Sequence, residues 1–180
     1  MDIFIQQILN GLVLGSIYAI IALGYTMVYG ILGIINFAHG DVLMVGAMVA
    51  LSAINVLQNH FPGLGHIPTL IIALAIAAVV CAFVGYTIEK VAYRPLRRAP
   101  RLAPLITAIG VSILLQTLAM IIWGRNPLAF PQLISTDPIN VIKPTETGVG
   151  AVISPTEIVI IVVAFLVMAG LLLLVHKTKL

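Results

Sequence analysis

The sequence predicts an all-α integral membrane protein with about five transmembrane helices and a broken or re-entrant segment near residues 30–41. Three observations carry that prediction. Hydrophobic residues make up 61% of the 180 and charged residues only 8%, against the roughly 25% charged residues that a water-facing surface requires. Mean hydropathy is +1.18. Five apolar stretches carry no charge: Ile8–Ile35, Val42–Leu57, Pro68–Ile88, Leu102–Trp123 and Ile158–Val175. A helix crosses the hydrocarbon layer with about 20 apolar residues. In lipid each backbone polar group must be paired internally, so runs of this length are helical.

The first stretch opens without a Lys or Arg, since none precedes Lys90; it does not read as a secretory signal peptide, which starts with positive charge. Gly11 and Gly15 form a GxxxG pair continued by Ser16 and Ala19. Small residues let membrane helices approach closely, so helix packing is the expected role of this face. The stretch runs 28 residues and the next only 16, about 24 Å of helix. An excess followed by a deficit places the intervening turn NFAHGD below the membrane surface, in a form that membrane proteins tolerate where it lines a cavity. An ordinary surface turn, with Gly40 relaxing the backbone, Asp41 capping the helix that begins at Val42 and His39 meeting water, fits the same residues.

Asp41 is the only formally charged side chain between Asp2 and Glu89. An ionisable residue inside a membrane segment is costly, which makes Asn36, His39 and Asp41 the leading candidates for a functional site. In the fourth stretch Ser112 and Gln116 stand four apart and share a helix face. The Gln116 amide should face other helices, either as interhelical glue or as a direct contact to a transported solute. Trp123 fits an interfacial anchor.

Basic residues set the orientation. Lys90, Arg94, Arg97, Arg98 and Arg101 account for five of the nine. They mark residues 89–101 as a cytoplasmic loop and topology determinant, because cytoplasmic loops collect Lys and Arg. Lys177 and Lys179 then lie on the same side. The Pro-rich segment 124–156 falls outside, as does the N-terminus. Its piece INVI, Ile139–Ile142, is expected to pair in a surface hairpin that serves as a docking surface or as a passive cap. The net charge of +3 reflects topology, so no nucleic-acid partner is expected. Cys81 stands alone in an apolar run, His39, His60, His66 and His176 lack ligand spacing, and no phosphate-binding loop GxxxxGK[ST] occurs. No metal, cofactor or covalent chemistry is therefore expected, and the chain does not read as an enzyme.

NGLVLGSIYAIIALGYTMVYGILGIINFAHGD, followed by IEKVAYRPLR and LITAIGVSILLQ, resembles the LivH-type permease of bacterial branched-chain amino acid ABC transporters. The three blocks match in order and spacing. The resemblance implies a multi-pass subunit of the bacterial inner membrane, forming a single transmembrane domain over 1–180. It would be paired with a second permease, two cytoplasmic ATP-binding subunits and an external amino-acid-binding protein. Carried over by position, the family's broken helix falls on Tyr25, Asn36, His39 and Asp41, and its polar fourth helix on Gln116. An amino acid would then meet the path with its carboxylate near helix N-termini or donors such as His39, and its ammonium near acceptors such as Asn36 or Asp41. The family continues past this length into a cytoplasmic coupling segment, so the chain is expected to correspond to the N-terminal part of such a permease, truncated at Leu180. A substrate-specific importer component is the first functional reading. A non-transporting fragment that associates with intact subunits is the second. An ion-driven carrier is the third, and it would call for a repeat of the NFAHGD pattern that the sequence lacks.

Overall fold

The computed structural model describes residues 2–33, 36–96, 99–100, 102–133, 137, 139–142 and 150–178. It is an all-α integral membrane protein with five helices long and apolar enough to cross a bilayer. These are α1 (Asp2–Leu32), α2 (His39–His60), α3 (His66–Ile88), α4 (Leu102–Trp123) and α5 (Pro155–Thr178). A short antiparallel pair, β1 (Ile139–Ile142) and β2 (Ala151–Ile153), precedes α5. The chain divides into two compact units, Met1–Thr26 with Ile134–Leu180, and Met27–Leu133.

In the first unit, β1 and β2 pair Ile139 with Ile153 and Asn140 with Val152, and the register shifts before Ile142. The β-branched run INVI thus forms the expected strand. Gln6 on α1 accepts a hydrogen bond from the Val152 backbone N–H at 2.8 Å, which puts the start of α1 on the same side as the hairpin. α5 opens with a reciprocal cap: the Ser154 N–H donates to Glu157 Oε2 at 2.7 Å and the Glu157 N–H to Ser154 Oγ at 3.2 Å. Pro155 occupies the first helical position, where a missing N–H costs nothing. On α1, Val13 and Ser16 are buried. A Cβ built on Gly11 or Gly15 would meet nothing within 4 Å, so that small-residue face is open within this chain.

The second unit holds the rest. α1 ends at Leu32, and Gly33 follows with φ +66°, its N–H bonded to the Tyr29 carbonyl. Gly124 closes α4 in the same way, with φ +84° and a bond to the Met120 carbonyl. Both take the left-handed conformation that stops a helix and that glycine adopts without a Cβ clash. α2 and α3 form an antiparallel hairpin around a core of Ala53, Ile54, Ala73 and Leu133, with Leu57 and Leu70 against it. Alanines at 73 and 77 bring the two helices close, as expected where packing rather than water exclusion drives association. Most large apolar side chains point outward, among them Ile71, Leu74, Phe83 and Ile121, which suits a surface facing lipid or other helices.

Two boundaries differ from the sequence reading. α2 has 22 residues, not 16, about 33 Å. The polar ends His39-Gly40-Asp41 and Gln58-Asn59-His60 are helical, so the predicted length deficit disappears. After α3 the chain does not enter a loop. It continues as a π-helical turn, Glu89–Tyr93, and a 3-10 turn, Arg94–Leu96. Lys90 and Arg94 are exposed on these turns, and the Lys90 ammonium lies 5.6 Å from the Tyr86 ring centroid. Arg97, Arg98 and Arg101 lie outside the described residues.

One contact fixes the α2–α3 spacing. The Cys81 thiol faces the Val42 carbonyl at 3.5 Å, and a Cβ on Gly46 would stand 2.7 Å from Cys81 Sγ. Gly46→Ala is therefore expected to force the thiol out of its position and lower thermal stability in detergent by about 1 kcal/mol, at the low end of overpacking costs. Adding Cys81→Ala should restore most of it. A double variant as unstable as the single one would locate the strain elsewhere.

Candidate functional site

Polar residues scattered through 81 positions of sequence converge where α2 begins. The interruption between α1 and α2 places Asn36, Phe37 and Ala38 in a turn. Ala38, fully buried, precedes α2 and contributes no side-chain cap. Its backbone N–H donates to Asn36 Oδ1 at 3.1 Å, a local Asx-type turn that competes with helix and sets its start. The same Oδ1 accepts the Tyr93 phenol at 2.6 Å. Tyr93 is 4% exposed, and its hydroxyl takes a partner as a buried tyrosine must. This bond ties the turn before α2 to the π-helical turn after α3.

Asp41 lies in the first turn of α2, 9% exposed. It does not cap, because the helix starts two residues earlier, at His39. Instead Asp41 Oδ1 accepts from Gln116 Nε2 of α4 at 2.9 Å. Gln116 Nε2 also reaches Ser112 Oγ at 3.3 Å, one turn back on the same face. A neutral amide thus holds a buried carboxylate, which desolvation would otherwise penalise heavily. Further along the same seam, Trp123 Nε1 donates to Ser52 Oγ at 2.8 Å. The residue read as an interfacial anchor also joins α4 to α2.

These pairings measure how far α2 reaches along its neighbours. Gln116 is 14 residues from Leu102 and 7 from Trp123, about 21 Å and about 10 Å along α4. Cys81, level with Val42, is 15 residues from each end of the helical run His66–Leu96. Two rulers agree: α2 starts beside the interior of its neighbours, not beside their ends. The deficit in helix length is therefore absent, and although α2 begins beside helix interiors, the turn before it reaches Tyr93, three residues from the end of the same helical run.

Of the residues singled out from sequence, Asn36, His39, Asp41 and Gln116 all belong to the second unit. Asp41 and Gln116 touch, and Asn36 is joined to the π turn through Tyr93. His39, half-buried, is the first residue of α2. Tyr25 lies half-buried on α1 in the other unit. Tyr93 was not among the candidates. Its signal was an aromatic hydroxyl just beyond a long apolar run, in a segment read as a cytoplasmic loop. Among the described residues no group of three or more His, Cys, Asp or Glu could hold a metal ion.

The family model of the branched-chain amino acid transport system permease component matches residues 7–180. The chain belongs to that family. It is similar to the high-affinity branched-chain amino acid transport system permease protein BraD of Pseudomonas aeruginosa, with 47% identity over 178 residues. The LivH proteins of Salmonella typhimurium and Escherichia coli K12, named in the same way, are 41% and 42% identical over 177 residues. Each match covers 98% of this chain and 56% of the relative, so the chain spans about half the length of these curated proteins. No solved structure matches. The relatives are named as permease proteins of transport systems, and the fold of this family member is that of a multi-pass membrane protein.

Proposed function

We propose that the chain is part of the membrane-spanning permease subunit of an ATP-driven importer for branched-chain, hydrophobic amino acids in a bacterial plasma membrane. The observation that carries this reading is the buried Asp41–Gln116 pair, held at the start of an interrupted helix beside the interior of α3 and α4. In a bilayer crossed by α3 and α4 that pair lies within the hydrocarbon region. A charge is retained there only for a use. Interrupted helices gather such groups at the substrate sites of transporters. The family membership and the names of the relatives supply the cargo class.

The mechanism is alternating access. A loaded binding protein docks outside, and ATP binding by separate cytoplasmic subunits shifts this subunit and a second permease between two states. The basic segment 89–101 faces the cytoplasm, and the hairpin β1–β2 faces outside. No bond of the cargo is made or cut, so the site works by weak, replaceable contacts. Asp41 and the Gln116 carbonyl oxygen are the acceptors that meet an ammonium group.

The test is uptake of radiolabelled leucine in cells lacking their own system. The chain is expressed there with the ATP-binding subunits, the second permease and the binding protein. ATP-dependent uptake that unlabelled isoleucine and valine suppress is expected. Absence of uptake with the protein present in the membrane would sink the reading.

A further inference from the structure

The orientation of the Asn36 amide is fixed by a donor that cannot change its role. The Ala38 backbone N–H only donates, so the amide atom 3.1 Å from it is the oxygen. That same Oδ1 stands 2.6 Å from Tyr93 Oη, so the phenol donates as well. A carbonyl oxygen has two lone pairs, and here both are engaged. Asn36 therefore cannot offer its acceptor to a solute as the sequence reading supposed. The arm of the amide that remains for a solute is the pair of N–H donors on Nδ2. Gln116 is set the opposite way. Its Nε2 donates to Asp41 Oδ1 and Ser112 Oγ, so the arm that remains for a solute is the Oε1 acceptor.

From this we infer that Tyr93 is a positioning residue that locks Asn36 with its N–H donors toward the cargo, so that the amino acid's carboxylate is read at Asn36 and its ammonium at Asp41 and Gln116. The inference rests on the transport reading above and specifies how the same site is polarised. The two amides, a donor remaining at one and an acceptor at the other, match the two ends of a zwitterion. A solute with only one of its charges satisfies half of the site.

Asn36→Asp separates a recognition role from a structural one. The introduced carboxyl keeps an oxygen for the Ala38 N–H and for the Tyr93 phenol, so the turn is retained. Only the arm that remains for the cargo changes, from a donor to an anion that repels a carboxylate. In the complete transporter at pH 7.5, leucine uptake by Asn36→Asp is expected to fall at least about tenfold, the loss of a charge-assisted hydrogen bond. Combining it with Tyr93→Phe should lower uptake no further, because the phenol then has no donor arm left to position, whereas a merely structural tyrosine would give losses that add. Tyr93→Phe keeps the ring and frees the amide to turn over, and its uptake should fall about fivefold.

Wild-type uptake by Asn36→Asp, losses that add in the double variant, or normal uptake by Tyr93→Phe would each overturn the assignment. If Asn36→Asp is missing from the membrane, Tyr93→Phe alone decides. An inactive wild type would instead defeat the underlying transport reading.

Discussion

Asp41→Asn is expected to cut leucine uptake about tenfold while the protein stays in the membrane at its normal level. The substitution preserves shape, and the new carbonyl oxygen can still accept from Gln116 Nε2, which now bonds Asp41 Oδ1 at 2.9 Å. The link between α2 and α4 therefore survives. What disappears is the only formal charge between Asp2 and Glu89. A hydrogen bond to a charged group contributes about 1.5–3 kcal/mol and a neutral one about 1. The difference, about 0.5–2 kcal/mol, corresponds to about two- to thirtyfold, a range that brackets the expected loss once a cargo ammonium is the partner of the charge. Asp41→Ala should fall at least as far, since it also leaves Gln116 without its acceptor. The measurement is initial uptake rate divided by membrane abundance. Asp41→Asn transporting at the wild-type rate would remove Asp41 from the path.

The sequence makes the helices legible because a charge-free apolar run has no alternative to a helix in lipid. α4 is the clearest case, ending at the predicted Leu102 and Trp123. It misleads at ends where polarity and helix termination part company. His39, Gly40 and Asp41 are polar yet helical, and Glu89 to Leu96 carry charges and a proline yet continue α3 in tighter and wider turns. The strand Ile139–Ile142 was visible in its β-branched residues, whereas its partner Ala151–Ile153 is three residues long, too short for alternation to mark. In the site, Asp41 and Gln116 each stood out as a polar residue in an apolar run. That they meet did not, because they lie 75 residues apart and helical periodicity gives a face without naming the neighbour it faces. Tyr93 was hidden for a related reason: the role of a tyrosine depends on where its hydroxyl lands. The sunken turn was expected from a deficit in helix length, and the structure removes that deficit because the polar residues at both ends of α2 are helical.

Gln116→Leu should destabilise the protein and abolish uptake, and pairing it with Asp41→Asn should recover stability without recovering transport. Leucine fills the volume but leaves a buried carboxylate, 9% exposed, without the donor that now satisfies it. Ser112 loses less, since its hydroxyl can turn to a carbonyl of its own helix. Hydrogen bonds between membrane helices average about 0.6 kcal/mol and reach about 1.7, because the separated helices also find partners in the membrane. A charged acceptor belongs at the upper end, so about 1–2 kcal/mol is the expected cost. Neutralising the acid in the double variant removes most of the desolvation penalty, which makes the two substitutions non-additive. Trp123 is the chain's single tryptophan and is bonded to Ser52 across the same α2–α4 seam. Its emission during thermal unfolding in detergent therefore reports the contact in question. Additive losses in stability would mean that the Gln116–Asp41 bond contributes nothing to holding α2 against α4. Transport by the stable double variant would mean that the pair is a structural clasp and the cargo passes elsewhere.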